Sequence, residues 1–160
     1  MREAVIMQMT WPGAPTLYYG DEAGVCGWTD PDNRRTYPWG FEDFELIEYH
    51  RYLIDLHKKL PALRRGSLKQ LLADRQLIVY GRMSGENKCA VIINNRGESR
   101  SVRVPVWELG ITDEDVITRM MLSDEKGYNA GRIDYRADHG WLTLDVPAHS
   151  GVLLSSGALV

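Results

Sequence analysis

Apolar side chains recur along this 160-residue chain with two different periods, and the period changes close to Gly66. Before that point, five apolar residues are separated by three, four, three and four positions, which places them on one face of a helix. They are Leu46, Tyr49, Leu53, Leu56 and Leu60. Acidic residues precede this stripe, Lys58 and Lys59 lie at its end, and Pro61 stops it, an order that suits the helix dipole. The pattern predicts a helix with one buried face.

Beyond Gly66 the period becomes two, which is typical of strands with one face in a core. Six segments read as strands: Gln76–Met83, Lys88–Asn94, Ser99–Val106, Val116–Leu122, Trp141–Val146 and Gly151–Ser155. Turn-forming residues such as Asn95-Arg96-Gly97 and Asp138-His139-Gly140 separate several of them. Short strands at this spacing predict an antiparallel sandwich.

The first forty residues read as a helix end, a short strand and a long loop. Arg2–Thr10 has apolar residues at helical spacing and runs into the stop Trp11-Pro12-Gly13. Thr16–Tyr19 favours β-structure and resembles a strand buried inside a parallel sheet. The segment Gly20–Gly40 is rich in turn formers, and a loop of that length inside a domain is usually functional or disordered.

Composition excludes several classes of partner. Hydrophobic residues make up 44% of the chain and charged residues 26%, as in an ordinary globular protein. A formal net charge of −3 gives no reason to expect a nucleic acid partner, and no apolar run is long enough to predict a membrane span. The cysteines, Cys26 and Cys89, show no metal-ligand spacing with each other or with histidine. We therefore expect no metal, no cofactor, free thiols and a cytoplasmic location.

Three motifs follow one another at fixed spacing: PGAPTLYYGDEAG at 12–24, DPDNRR at 30–35 and YPW at 37–39. Together they resemble the α-amylase family of glycoside hydrolases, and within it the neopullulanase, cyclomaltodextrinase and maltogenic-amylase group. The helix exit HKKLPAL at 57–63 extends the likeness. The predicted elements also follow the order found in that family: a helix, a strand, a loop, a long helix and a strand-rich region.

The resemblance implies an α+β fragment: the last strand and helices of a (β/α)8 barrel, followed by an antiparallel C-terminal β-sandwich. Residues 1–63 would be the end of the catalytic barrel, with its last strand, substrate loop and last helix, and residues 64–160 the sandwich. A whole barrel takes about 250 residues. The resemblance implies that the catalytic carboxylates, a nucleophilic Asp and an acid Glu assisted by another Asp, lie on earlier strands. We therefore expect no catalytic residue in this chain.

Asp30 and Arg34 are the first candidates for contact with a substrate. A carboxylate accepts hydrogen bonds and a guanidinium donates them, so the two groups side by side recognise neighbouring sugar hydroxyls well. The positions are four apart, and one helical turn or a tight loop brings them to the same side. The resemblance implies that the pair holds a glucose unit on the non-reducing side of the cleaved bond. The alternative is an internal salt bridge that only shapes the loop, and the pair could serve both purposes.

Four other sites carry weaker indications. Trp28 is a candidate for stacking on a pyranose ring, with packing beneath the loop as the alternative. Asp21 and Glu22 suggest catalysis, but adjacent residues on an extended segment point to opposite sides, so we expect support of the site's rim instead. We expect Tyr18 and Tyr19 to pack rather than bind ligand. Trp107 and Trp141 could form a starch-binding platform, although we expect them to pack in a core.

Two functions remain open from the sequence. The first is the C-terminal part of a retaining α-glucan hydrolase that acts on cyclodextrins, pullulan or maltooligosaccharides, with an α-glucan oligosaccharide as partner of the full-length enzyme. The second is a non-catalytic carbohydrate-binding or structural β-sandwich module. In both cases we expect an unpaired barrel strand and apolar helix faces without partners, which favour a homo-oligomer formed through these exposed surfaces.

Overall fold

The computed structural model describes residues 1–85 and 87–157. The predicted sandwich, residues 64–160, includes Glu86 and residues 158–160, which lie outside the described part. The helices are α1 (Arg2–Thr10), α2 (Phe44–Lys59) and α3 (Pro61–Arg65). The strands are β1 (Ser67–Asp74), β2 (Leu77–Ser84), β3 (Asn87–Asn94), β4 (Arg100–Val104), β5 (Ile117–Asp124), β6 (Gly127–Asn129), β7 (Ile133–Tyr135), β8 (Leu142–Val146) and β9 (Ser150–Ser156).

All strand pairs are antiparallel, and the strands form two sheets. A seven-stranded sheet has the order β1-β2-β3-β9-β5-β6, with β7 also paired to β5, and a separate sheet pairs β4 with β8. Each of the six predicted strands is confirmed, with bounds that differ by one or two residues. The sequence analysis missed β1, β6 and β7. The residues of β1 are exposed or half-buried and do not alternate cleanly, and β6 and β7 have only three residues each.

The large sheet is buried on both faces, which creates two hydrophobic cores. In β3, Val91 belongs to the core beneath the helices, and its neighbour Ile92 belongs to the core shared with the β4–β8 sheet. In β9, Leu153 belongs to the core beneath the helices and its neighbour Val152 to the core shared with the β4–β8 sheet. Successive side chains of a strand point to opposite faces, so a sheet covered on both sides needs apolar residues at consecutive positions. The continuous apolar runs of these strands follow from this arrangement.

Helix α2 packs on the large sheet with the predicted stripe, and all five of its apolar residues are buried. Its N-terminus is capped by Asp43, whose carboxylate accepts a hydrogen bond of 2.9 Å from the backbone N–H of Leu46. Pro61 ends α2 as predicted, but it also opens α3, since proline suits the first position of a helix. The expectation of helix faces without partners is wrong for most of this surface. The buried stripe of α2, together with Val5, Ile6 and Met9 of α1, packs in the core beneath the sheet.

The predicted strand Thr16–Tyr19 does not form. The segment has no strand assignment and pairs with no other strand, and Leu17, Tyr18 and Tyr19 are exposed by 37%, 53% and 47%. A β-strand exists only through hydrogen bonds to a neighbouring strand, and within the described residues no strand lies beside this segment. Its β-favouring composition therefore does not produce a strand here.

A buried arginine joins the helices to the large sheet. Arg82 in β2 is 1% exposed, and its guanidinium donates hydrogen bonds of 2.6 Å to the carbonyl oxygen of Thr10 and 2.8 Å to that of Gly66. Thr10 is the last residue of α1, where the helix dipole favours a positive charge. No carboxylate of the described residues lies within ion-pair distance of Arg82. Burial lowers the pKa of Arg82.

We predict that Arg82→Ala lowers the free energy of unfolding by about 3 kcal/mol, because it leaves two carbonyl oxygens without their donor and opens a cavity. Urea unfolding followed by far-ultraviolet circular dichroism measures this change. The matched control is Arg75→Ala, an exposed arginine between β1 and β2, which should cost less than about 0.5 kcal/mol. Equal losses for the two variants would show that Arg82 has no special structural role.

Candidate functional site

The loop that carries the sequence motifs is attached to the N-terminus of α2. Asp21–Ala23 forms a short 3-10 helix, and the carbonyl oxygen of Ala23 accepts a 3.1 Å hydrogen bond from the N–H of Asp43. Ala23 is buried, and the first turn begins at Gly20 with φ of +91°, a conformation that favours glycine. The base of the loop is therefore fixed where α2 begins.

Asp30 and Arg34 form an ion pair on the surface of this loop. Nε of Arg34 lies 3.2 Å from Oδ1 of Asp30, and Nη2 lies 3.5 Å from Oδ2, so the guanidinium and the carboxylate meet side by side. Their side chains are 70% and 64% exposed. The predicted proximity of the two residues is confirmed, and both retain polar atoms directed to solvent. Whether they contact a sugar remains a prediction.

A second ion pair fixes the turn between these residues. A short 3-10 helix covers Asp32–Arg34, and Nη2 of Arg35 lies 2.7 Å from Oδ1 of Asp32. The other carboxylate oxygen of Asp32 accepts a 3.1 Å hydrogen bond from the backbone N–H of Trp28. The hydrogen bond from Arg35 holds the pKa of the Asp32 carboxyl below its usual value. Asp32 therefore connects both ends of the turn that carries Trp28, Asp30 and Arg34.

Trp28 does not pack beneath the loop. Its side chain is 84% exposed, so the packing alternative is wrong and the ring is open to a ligand. Other large apolar residues of the same region are also exposed, among them Trp39 at 78% and Phe41 at 90%. Exposed apolar surface of this extent marks a place where another molecule or another part of a protein binds.

A cleft of about 400 Å³ lies next to this loop. It is lined by Met1, Tyr18, Tyr19, Asp21, Val25, Cys26, Gly27 and Asn33. The rings of Tyr18 and Tyr19 lie 4.8 Å apart, and the Tyr19 hydroxyl donates a 2.9 Å hydrogen bond to the carbonyl oxygen of Arg35. The expectation that both tyrosines are packed is wrong, because they are about half exposed and no strand among the described residues lies beside them. The cleft borders the motif, but Trp28, Asp30 and Arg34 are not among its lining residues.

The acidic pair Asp21-Glu22 lies on a 3-10 turn rather than on the extended segment that we expected. Glu22 accepts a 3.0 Å hydrogen bond from the backbone N–H of Gly20, which is a structural contact within the turn. Asp21 lines the cleft. In residues 1–85 and 87–157, no three potential metal ligands cluster closely enough to hold an ion, and no helix could cross a membrane.

The core packing that we expected for Trp107 is also wrong. Trp107 is 56% exposed, and Trp141 is half-buried with the guanidinium of Arg103 stacked 4.3 Å from its ring centroid. Sequence reasoning missed Arg103 entirely, because a lone arginine in a strand gives no signal of what it stacks on.

Comparisons with known proteins agree with the motifs. No protein-family model matches the chain. An amylopullulanase from Thermoanaerobacterium thermosulfurigenes is 32% identical over 170 residues, which cover 98% of this chain and 8% of that protein. Neopullulanase 2 from Thermoactinomyces vulgaris is 41% identical over 113 residues, or 68% of this chain and 19% of the relative. The chain is related to the α-amylase-family glycoside hydrolases.

The fold leads to the same family. The structure of an α-amylase from Geobacillus thermoleovorans, complexed with acarbose, matches with a TM-score of 0.82 and 25% identity, covering 98% of this chain and 33% of that one. The mostly-strand, antiparallel architecture with few helices matches a C-terminal domain of α-amylase-family enzymes. This chain thus spans a small part of its curated relatives.

The two thiols should differ sharply in reactivity. Cys26 is exposed beside the cleft, whereas Cys89 is fully buried and burial raises its pKa to about 12. Because the thiolate is the reactive form, we predict that Ellman's reagent at pH 8 modifies one thiol in the native protein and two after denaturation. Cys26→Ser should abolish the native reaction. Rapid modification of Cys89 in the folded state would contradict the burial described above.

Proposed function

We propose that this chain forms the C-terminal part of a retaining α-glucan hydrolase that acts on cyclodextrins, pullulan or maltooligosaccharides. In this proposal residues 1–63 complete the end of a (β/α)8 barrel, and residues 64–160 form the C-terminal sandwich. The match to an amylopullulanase along 98% of the chain and the order of α1, loop and α2 support it. Since the chain spans less than a fifth of the two curated relatives described above, its substrates follow only by inference.

The exposed pair of Asp30 and Arg34 is the observation that carries the proposal. Sugar hydroxyls donate and accept hydrogen bonds, and here an acceptor and a forked donor lie side by side in solvent. Trp28 lies in the same turn, with a ring that could cover the apolar face of a pyranose. An exposed indole on the same turn favours sugar contact over a salt bridge with only a structural role. We assign glucan contact to Trp28, Asp30 and Arg34.

The cutting of the glycosidic bond requires groups that we do not assign to this chain. A retaining mechanism needs two carboxyl groups about 5–5.5 Å apart, one as nucleophile and one as acid. Glu22 accepts a hydrogen bond from the backbone of Gly20, and Asp30 and Asp32 each pair with an arginine, so all three carboxyl groups are engaged in contacts within the loop. We propose that residues outside this chain supply the nucleophile and the acid.

We predict that the purified 160-residue chain does not hydrolyse cyclodextrin, pullulan or maltoheptaose. Reducing-end release, measured over hours at high protein concentration, provides the test. An Asp21→Asn variant serves as control, since it removes the carboxylate that lines the cleft. Activity that co-purifies with the chain and disappears in Asp21→Asn would contradict the proposal.

The second candidate is a carbohydrate-binding module that needs no other segment, and the exposure of Trp28 favours it to the same degree. The two candidates predict different affinities of the isolated chain for a glucan. A module should bind by itself, whereas one ion pair and one ring are only a small part of an enzyme's complete cleft. If the chain is part of an enzyme, the isolated chain should give no saturable shift of the Trp28 indole N–H signal with millimolar maltoheptaose. A saturable shift that Arg34→Ala abolishes would favour the module.

Two further properties belong to the proposal. The exposed apolar residues Trp28, Trp39, Phe41 and Phe44 support self-association or contact with another part of the enzyme, in place of the helix faces that the sheet covers. The two unpaired cysteines support a cytoplasmic location.

A further inference from the structure

A second aromatic surface lies on the sandwich, at one end of the β4–β8 sheet. Trp107 belongs to a short 3-10 helix, Val106–Leu109, that follows β4, and Trp141 directly precedes β8. Val106 and Leu109 are 0% and 3% exposed, whereas Trp107 is 56% exposed. The helix is therefore anchored by its neighbours in the core, and it holds the indole of Trp107 outward.

The backbone beside Trp107 is shaped to hold that indole. Gly140 has φ of +79°, and a Cβ atom added there would lie 2.8 Å from the Cβ of Trp107, closer than side chains tolerate. The N–H of Trp107 donates a 3.0 Å hydrogen bond to the carbonyl oxygen of Gly140. The carboxylate of Asp113 accepts hydrogen bonds from the N–H groups of His139 and Gly140 at 3.0 and 2.8 Å. The exposed ring thus lies against a turn that is fixed on both sides.

Polar groups able to bind hydroxyls lie next to these rings. The guanidinium of Arg103 covers Trp141 at 4.3 Å, and no carboxylate within residues 1–85 and 87–157 pairs with it. In the antiparallel register Arg103 lies opposite Thr143, and Ser101 opposite Asp145. All four residues are exposed. The outward face of this sheet is therefore polar, with aromatic rings at one end.

We propose that Trp107, Arg103 and Trp141 form a second carbohydrate-binding surface, which takes an α-glucan chain. The ring of Trp107 would pack on the C–H face of a glucose unit, and Arg103 would donate to its hydroxyl oxygens. An apolar protein partner fits less well, since Arg103 covers Trp141 and the exposed positions of the adjoining strands are polar. The choice of an α-glucan rests on the proposed function, whereas the surface itself does not depend on the Trp28 loop.

The chain carries five tryptophans, so indole N–H signals can report each site separately. With 15N-labelled protein and maltoheptaose as probe, we expect a saturable shift of the Trp107 signal in the millimolar range. Measured from the Trp141 indole N–H signal, which all these variants keep, Trp107→Ala should weaken binding about 10-fold, and Trp107→Phe less, because a smaller ring keeps part of the stacking. Arg103→Ala should weaken binding while leaving the Trp107 shift direction unchanged. Trp107 is exposed, so these variants should remain folded.

The matched control is Trp39→Ala, which removes another exposed indole, one that is assigned no glucan contact, and should leave binding at Trp107 unchanged. Cellohexaose, with its β-linked and flatter chain, tests the ligand class and should bind at least about 10-fold more weakly. Absence of any Trp107 shift, or equal affinity of Trp107→Ala and the unmodified protein, would overturn this inference without touching the role of Trp28. Equal binding of cellohexaose would overturn the α-glucan assignment.

Discussion

Burial of both faces of the seven-stranded sheet is the constraint on which the rest of the structure depends. Strands β2, β3 and β9 carry apolar side chains at consecutive positions, so neither face can remain in water. The β4–β8 sheet covers one face and the helices cover the other. Helix α1 has nine residues, too few for a stable helix by itself, so its order comes from packing on the sheet. The helices are thus fixed by the sheet that follows them in sequence.

This dependence reaches the candidate site through the two ends of the loop. Arg82 binds the last carbonyl of α1, and the next residue, Trp11, stacks edge-on against Tyr80 at 5.4 Å. At the other end, Asp43 caps α2 and donates its N–H to Ala23. Between these anchors the loop has little core of its own and relies on ion pairs, which contribute little stability when exposed. Its ends are positioned by the sheet, whereas its middle is held by ion pairs and hydrogen bonds within the loop.

The sequence predicted the helix and strands whose apolar residues follow a regular pattern. It failed where the structure of a segment depends on which other segment lies beside it. Helix α2 has a helical period, β4 and β8 alternate, and β2, β3 and β9 are continuous apolar runs in place of the predicted period of two. Thr16–Tyr19 has the composition of a buried strand, but strand formation depends on neighbours that local sequence cannot specify. The proximity of Asp30 and Arg34 followed from a short spacing, whereas Arg103 over Trp141 is a contact between separate strands. The exposure of Trp107 could not be predicted either, because it depends on Val106 and Leu109 filling the core in its place.

Exposed tryptophans on this chain have two different structural origins, and the difference bears on what each can bind. Trp28 lies on a turn held by Asp32, but its side chain is 84% exposed, so few neighbouring side chains hold the ring in place before a ligand binds. Trp107 lies against Gly140, on a helix whose flanking residues are buried. Ordering costs reduce affinity, so a ring held in place before binding retains more of its contact energy. By this argument the proposed surface at Trp107 would bind a glucan by itself, whereas the proposed site at Trp28 would bind strongly only with contacts from another segment.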